Sequence, residues 1–165
     1  MASTITAGTL KVTIKEEIYL KGRNQGEITE LSIASVNEIF KRIVSCAAST
    51  ETTIAVFKSA TGGSATFDSA LDVEDVRYIR VTNLDDTNSV TLNLQIDVGE
   101  DDTGADESAS ILVGAGHSFI MSTTSDGLAV QDTNANIETD LHNLESIIIY
   151  PGSNAADIEI FVASV

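Results

Sequence analysis

The sequence contains no tryptophan, one proline and one cysteine among its 165 residues. The lone thiol, Cys46, has no partner for an internal disulfide, so folding does not require an oxidising compartment and can take place in the cytoplasm. No stretch approaches the roughly 20 apolar residues of a membrane span, and the first ten residues lack the basic start and apolar core of a secretory signal. We therefore expect neither export nor membrane insertion.

Lysine and arginine are absent from the second half of the chain, because the last of the nine basic residues is Arg80. Residues 81–165 carry 15 acidic and no basic side chains, whereas residues 1–80 carry ten acidic and nine basic ones. The net charge of −16 therefore divides into −1 and −15. Because nucleic acids bind to clustered cations, neither half predicts a nucleic-acid partner. We expect the acidic half to form one strongly hydrated side of the fold.

Alternation of apolar and polar residues is the main pattern that is present. In Ser89–Ile96 every second residue from Val90 is apolar, as in a strand with one face in a core and the other in water. Comparable runs are Leu10–Ile14, Thr53–Lys58, Val76–Thr82, Ser108–Val113, His117–Met121, Gly127–Gln131, Glu145–Tyr150 and Ile158–Val162. The pattern predicts roughly eight to ten strands.

Two connecting segments carry more specific expectations. Asn83–Asn88 is dense in residues that tolerate tight turns, so the sequence predicts a hairpin between Arg80 and Val90 near the middle of a sheet. Ser35–Arg42 has two interpretations. One is a helix, with Ser35 and Glu38 spaced as a capping box and an apolar stripe at Val36, Ile39, Phe40 and Ile43. The other is a strand through Ile39–Cys46.

Many short strands with regular turns predict an all-β fold, a two-sheet antiparallel sandwich of jelly-roll type. An immunoglobulin-like Greek key is the alternative, although the chain has neither the Trp nor the pair of cysteines typical of that fold. The charge boundary after Arg80 falls inside the strand pattern Val76–Thr82 and cannot separate two domains. We expect a single β-sandwich domain over residues 1–165.

Residues for catalysis are scarce. His117 and His142 are the only histidines, and neither lies in an active-site motif. We interpret His117 as a histidine at the start of a strand that hydrogen-bonds to the backbone, His142 as a loop residue, and Cys46 as a small buried apolar residue. Gly62-Gly63 lacks the lysine of a phosphate-binding loop, and Gly114–Gly116 lacks the third glycine and the helix of a nucleotide motif. The sequence predicts no enzyme and no organic cofactor.

One acidic segment offers ligands that calcium prefers. Residues 97–107 contain six carboxylates, namely Asp97, Glu100, Asp101, Asp102, Asp106 and Glu107. Their spacing is not that of an EF-hand, and crowded acids between strands also form solvated loop tips. The six residues are therefore weak candidates for a calcium site, and no other metal site is predicted.

Four segments together resemble a group of small virion structural proteins of marine tailed bacteriophages, similar to capsid decoration proteins. They are Leu10–Glu16, Asn37–Val44, Arg77–Asp86 and Gly116–Ile120. The resemblance covers most of the chain, and it implies a non-enzymatic decoration or cement protein that binds the head shell. It also implies a location in the virion after synthesis in the host cytoplasm, with the major capsid protein or other virion proteins as partners.

Homo-oligomers are expected, because a sandwich must cover or protect its sheet edges. We expect residues 81–165 to face the exterior, and the cations of residues 1–80 to pair with an acidic shell surface or a neighbouring copy. Two other classes of function stay open. One is a receptor-binding or glycan-binding module of the tail or fibre, and the other is a calcium-dependent binding domain.

Overall fold

The structure, a computed structural model, describes residues 6–58, 70–96, 107–124, 127–130 and 141–165. Within these ranges the chain forms strands and turns and no helix. The strands are β1 (Gly8–Lys15), β2 (Tyr19–Leu20), β3 (Arg23–Asn24), β4 (Ile28–Val36), β5 (Glu38–Cys46), β6 (Thr52–Lys58), β7 (Leu71–Asp72), β8 (Val76–Asn83), β9 (Val90–Ile96), β10 (Glu107–Val113), β11 (Ser118–Ser122), β12 (Ala129–Val130), β13 (His142–Tyr150) and β14 (Ala156–Ser164). Ten of these strands have five or more residues, as the periodicity predicts.

Eight of the strands form a jelly roll. In chain order they are β5, β6, β8, β9, β10, β11, β13 and β14, and the first pairs with the last, the second with the seventh, the third with the sixth and the fourth with the fifth. The two sheets therefore have the orders β5-β14-β8-β11 and β6-β13-β9-β10, with β7 added beside β6 and β12 beside β13. This order confirms the antiparallel sandwich and the jelly-roll expectation, in preference to the immunoglobulin arrangement.

The core lies between the two sheets and is made by the inward residues of each strand. In β9 the burial alternates residue by residue, with Val90, Leu92, Leu94 and Ile96 buried and the residues between them partly exposed. The facing sheet contributes the same alternation from β14, where Ile158, Ile160 and Val162 point inward. The aliphatic side chains of both inner faces thus form one continuous apolar cluster.

The predicted hairpin between Arg80 and Val90 is wrong. β8 pairs with β11 and β14, whereas β9 pairs with β10 and β13, so the two strands belong to opposite sheets. The backbone N–H of Leu84 donates to the carbonyl of Asp157, 2.9 Å away, and the side chain of Asn83 donates to the carbonyls of Val113 and Gly114. These long-range contacts direct the segment across the end of the sandwich instead of back along β8.

Residues 35–42 belong to the end of β4 and the start of β5, which meet at Asn37, and this decides between the two interpretations of the segment. Ser35 has a positive φ of 62° at the end of β4, a left-handed conformation that bends the chain before β5 begins at Glu38. In β5, Phe40 and Val44 pack against the core, and Ile39 and Ile43 are exposed. The helical stripe is therefore split between the two faces of a strand.

The nearly neutral residues 1–80 and the acidic residues 81–165 do not form two sides of the fold. β14, which comes from the acidic half, lies between β5 and β8 of the first half, and β13 lies between β6 and β9. Because the strands interleave, the expectation that residues 81–165 make one face and residues 1–80 the other is wrong. The division of charge has to be sought elsewhere in the structure.

Candidate interaction surface

Residues 8–36 form a long antiparallel ribbon, which we call the arm. β1 pairs with β4 from Gly8 opposite Val36 to Lys15 opposite Ile28, and backbone hydrogen bonds of 2.8 Å from Glu16 to Glu27 and from Gln25 to Ile18 continue the ribbon outward. β2 and β3 close it through Lys21 and Gly22, which have φ of 50° and 76°. Positive φ at both central residues is typical of a type I′ hairpin turn. At about 3.4 Å per residue, the arm is about 40 Å long.

The base of the arm packs on the outside of the sheet β5-β14-β8-β11. Ile33 and Val36 of β4 are buried together with Tyr78 of β8 and Ala163 of β14. Further apolar contacts to this cluster come from Leu10, Val12, Leu31, Phe161 and Val165. The rings of Tyr78 and Phe161 meet edge to face with centroids 6.0 Å apart. The sandwich therefore holds the inner half of the arm through a second, smaller apolar cluster.

The outer half of the arm, residues 14–28, exposes large apolar side chains. Their exposed fractions lie between 47% and 64%, and they are Ile14, Ile18, Tyr19, Leu20 and Ile28. Five such residues on one ribbon differ from the scattered apolar residues that every protein surface carries. Since Ile14 pairs with Thr29 and Ile28 pairs with Lys15, the outer half presents apolar side chains to solvent on both of its faces.

The arm is also where the charge of the molecule divides. Residues 8–36 contain four basic and four acidic residues, whereas residues 37–165 contain five basic and 21 acidic ones. The arm is therefore neutral, and the rest of the chain carries the whole net charge of −16. At the tip, residues 18–26 contain Lys21 and Arg23 and no acid. An apolar tip with two cations is joined to a strongly acidic sandwich.

Beside the base of the arm, the same sheet has an uncovered outer surface, which we call the outer sheet face. Its cations Arg80 and Lys41 both bind the carboxylate of Glu159, and Lys41 Nζ lies 3.1 Å from Oε2. The hydrogen bond from Lys41 lowers the pKa of Glu159, and the positive charges of Lys41 and Arg80 lower it further, against the effect of burial. Around this trio Ile39, Ile43 and Ile120 are 40–60% exposed.

The other arginines whose contacts are described in the sandwich serve the fold. Arg42 donates to the carbonyl of Ile54 at 2.8 Å, and its guanidinium lies 5.1 Å from the centroid of the Phe40 ring. Arg77 donates to the carbonyls of Glu74 and Val76. Both arginines are therefore bound within the chain, and the cations of the described residues form no basic patch.

The candidate catalytic residues lie at three separate places in the fold. His117 precedes β11, is exposed, and places Nδ1 2.7 Å from the carbonyl oxygen of Ala115, as expected of a histidine that contacts the backbone. Cys46 is buried at the end of β5, and burial raises the pKa of its thiol. His142 begins β13 opposite Val130, so its interpretation as a loop residue is wrong. Gly114–Gly116 form the turn between β10 and β11, and Gly62-Gly63 lie outside the described residues.

Five of the six calcium candidates, Asp97, Glu100, Asp101, Asp102 and Asp106, also lie outside the described residues. Glu107 begins β10 opposite Ile96 of β9. In the ranges that the structure describes, no group of three or more His, Cys, Asp or Glu side chains is placed to hold a metal ion. The same ranges contain no helix long and apolar enough to cross a membrane.

No protein-family model matches the sequence, and no curated protein is significantly similar to it. Among solved structures, the chain is similar to one described by the words "Bacillus endospore appendages form a novel family of disulfide-linked pili". The TM-score is 0.38 and the identity 16%, over 77% of this chain and 88% of that one. A likeness at this level carries no inference about function.

The sequence analysis found the strand at Leu10–Ile14 and missed the rest of the arm. One local signal was present, because Lys21-Gly22 is a two-residue turn with short runs on both sides, Tyr19-Leu20 and Arg23-Asn24. The exposure of the tip has no such signal. Apolar alternation in a ribbon is the same whether its face is buried or open to solvent.

Proposed function

We propose that this chain is a non-enzymatic structural protein of a tailed-phage virion, and that it acts as a decoration or cement protein on the head shell. The observation that carries the proposal is the arm, whose outer half presents five large exposed apolar side chains on a β-ribbon. Exposed apolar side chains concentrated on one element are typical of sites that bind other proteins. A protein whose most distinctive surface is a docking element suits an architectural role.

The sandwich supports the same proposal through its shape and charge. A jelly roll is a rigid unit that can be repeated over a lattice, and a body of net charge −16 stays hydrated and does not adhere to other polyanions. In the proposed arrangement the arm joins the assembly and the acidic sandwich faces the surrounding solution. The partners are the major capsid protein, other virion proteins and further copies of this chain.

Particle composition tests the proposal. Phage particles purified on a density gradient should contain this chain in many copies when the peptides are counted by mass spectrometry, and a cryo-EM reconstruction should place the jelly roll on the outside of the head.

Leu20→Asp changes the tip of the arm and should lower the occupancy of the chain on the particle about tenfold or more, because a half-exposed leucine contributes about 1.5 kcal/mol when buried. Leu112→Asp is the matched control, since Leu112 is an exposed residue of β10 and should leave occupancy unchanged. Absence of the chain from particles would refute the proposal.

A role in the tail or fibre is the second candidate, and Tyr19 is the observation that favours it. Its ring is among the exposed side chains at the tip of the arm, and an amphipathic ring of this kind suits a receptor interface. This role predicts a few copies at the tail in the reconstruction and loss of glycan or host-cell binding in Tyr19→Ala. A head location with no glycan-array signal would exclude it.

A further inference from the structure

We propose that the tip of the arm binds a second copy of this chain, on the outer sheet face of β5-β14-β8-β11. The inference rests on the proposed function in that it names the partner of the same arm. Each copy would then present one arm and one receiving face. The complex is held by the burial of Ile18 and Leu20 of one copy against Ile39, Ile43 and Ile120 of the next.

The first argument is that the chain already contains this contact once. The inner half of the arm packs its apolar side chains on the outside of the same sheet, where Leu10, Leu31 and Ile33 meet Tyr78 and Ala163. The outer half continues the ribbon with the same kind of side chains, and it leaves them exposed. The uncovered part of the sheet adjoins the surface on which this ribbon packs, and it adds Ile39, Ile43 and Ile120 as exposed apolar contacts.

The second argument is the composition of the uncovered surface. In register across the sheet, Ile120 lies opposite Arg80, Arg80 opposite Phe161, and Phe161 opposite Lys41. Ile43 lies opposite Glu159 in the next row and is 60% exposed. The cations of the row are already bound to Glu159. The hydroxyls of Thr82 and Ser118 likewise bond to each other, and Ser45 donates to Asp157, so the isoleucines are the apolar contacts of a face that is otherwise polar.

The third argument is charge. Two sandwiches that each carry −16 repel one another, so direct contact between bodies is disfavoured at low ionic strength. The arm is neutral and its tip carries Lys21 and Arg23 without an acid. On the receiving face the carboxylate of Asp157 is exposed near Ile43, since Asp157 pairs with Ser45 and Glu159, two residues further along β14, pairs with Ile43. The tip is therefore the part of one copy that the body of another attracts.

The geometry makes the contact heterologous, since the arm and the receiving face are different surfaces of one chain. Contacts of this kind build rings when the rotation closes and open chains when it does not. They also allow a test by complementation. A copy with a damaged arm can still bind the arm of another copy on its outer sheet face. A copy with a damaged face can still insert its own arm into the face of another copy.

The experiment uses the purified full-length chain and sedimentation velocity over a range of concentrations. The wild type should form oligomers. Leu20→Asp, which damages the arm, and Ile43→Asp, which damages the face, should each be monomeric at concentrations where the wild type is associated. An equimolar mixture of the two variants should form a heterodimer and nothing larger, because only one intact arm and one intact face remain. Leu112→Asp adds the same charge on the other sheet and should associate as the wild type does.

Three results would overturn the inference. They are a wild type that remains monomeric up to millimolar concentration, equal loss of association in Leu112→Asp, and a mixture of Leu20→Asp and Ile43→Asp that stays monomeric. Far-UV circular dichroism of each variant must show the wild-type strand signal, so that loss of association is not loss of folding. A monomeric wild type that is still abundant on phage heads would contradict this inference alone, whereas a self-associating chain absent from particles would contradict the proposed function alone.

Discussion

Replacing Asn83 with alanine should destabilise the sandwich more than its position at the end of a strand suggests. Asn83 is fully buried, and the two hydrogens of its side-chain amide are shared among three carbonyls, those of Asn88 at 2.8 Å, Val113 at 3.3 Å and Gly114 at 3.2 Å. Its side-chain oxygen accepts from the backbone N–H of Asp85 at 3.0 Å. This one residue therefore ties the crossing segment after β8 to the turn after β10.

The magnitude follows from the four polar contacts that disappear together, three of which share the two amide hydrogens. The bond to Val113 is buried, and leaving a buried carbonyl without a partner costs about 1–3 kcal/mol. The other three are partly buried, so water can replace the lost partner and each costs nearer 0.5 kcal/mol. The sum is about 3 kcal/mol, which for a chain of this size lowers the melting temperature by about 6–12 °C.

Urea unfolding followed by far-UV circular dichroism measures this loss, since the chain has no tryptophan to serve as a fluorescent probe. With a slope of about 2 kcal/mol per molar urea, the midpoint should fall by about 1.5 M with the slope unchanged. Asn154→Ala is the matched control, because Asn154 is exposed and its amide donates to the side chain of Asn88 at the surface. The control should change the free energy of unfolding by less than about 0.5 kcal/mol.

Asn83→Asp tests the same contacts through pH. The carboxylate would face three carbonyl oxygens, so the folded state disfavours the charged form and raises the pKa of the new side chain above the roughly 3.9 of an unfolded aspartate. The stability deficit of this variant should therefore be smallest below about pH 4 and should grow as the pH rises through the folded pKa. A loss under 1 kcal/mol in Asn83→Ala, or a deficit in Asn83→Asp that does not change between pH 3 and 7, would refute the reasoning.

Two further predictions concern single ionisable groups. Burial raises the pKa of the Cys46 thiol, and the hydrogen bond with Thr52 opposes this only in part, so a disulfide reagent at pH 8 should label Cys46 no faster than the protein unfolds; rapid labelling of the native protein would contradict its burial. The pKa of Glu159 is lowered, first by the hydrogen bond from Lys41, so its stabilisation is present above about pH 4 and is lost as the pH falls through the folded pKa. Glu159→Gln should therefore lower the free energy of unfolding at pH 7 by roughly 1 kcal/mol, and it should remove the part of the stability that the wild type loses when Glu159 is protonated. A variant whose stability depends on pH between 2 and 5 in the same way as that of the wild type would contradict this prediction.

Which residues face the core could be predicted because the pleat of a strand is a local property. In β9 the alternation in sequence and the alternation in burial coincide at every position from Val90 to Ile96. The same holds in β14 from Ala156 to Val162. Apolar side chains two residues apart share one face of any strand, whatever the strand pairs with.

Which strands pair could not be predicted in the same way. Asn83–Asn88 has the composition of a hairpin turn, yet β8 and β9 enter different sheets because Asn83 and Leu84 bond to residues 113, 114 and 157. A turn sequence does not encode contacts with partners 30 or more positions away. The choice between helix and strand in residues 35–42 was settled likewise, by the pairing of β5 with β14 along its whole length.

The candidate binding surface on the arm was the least predictable part, because it exists only where the arm does not pack on the sandwich. Its strands follow ordinary alternation, and the inner and outer halves differ in exposure and not in pattern. The four basic residues of the arm were visible in the sequence, but grouping them with residues 1–80 hid the neutrality of the ribbon. Only the topology shows that residues 37–80 belong with the acidic chain that follows.

The absence of lysine and arginine after Arg80 acquires a different meaning once the strands are interleaved. Of the five basic residues in the sandwich, Arg42 and Arg77 bind backbone carbonyls and Lys41 and Arg80 bind Glu159. Against 21 acidic residues the body as a whole remains acidic. Repulsion between such bodies falls off within about 8–10 Å at physiological ionic strength, whereas the outer half of the arm, from Ile14 to the turn at Lys21, is about 25 Å long. A neutral ribbon of that length can reach a neighbour while the charged bodies stay apart. The same separation of a binding element from a repelling body would let copies link in one orientation and would oppose their indiscriminate aggregation.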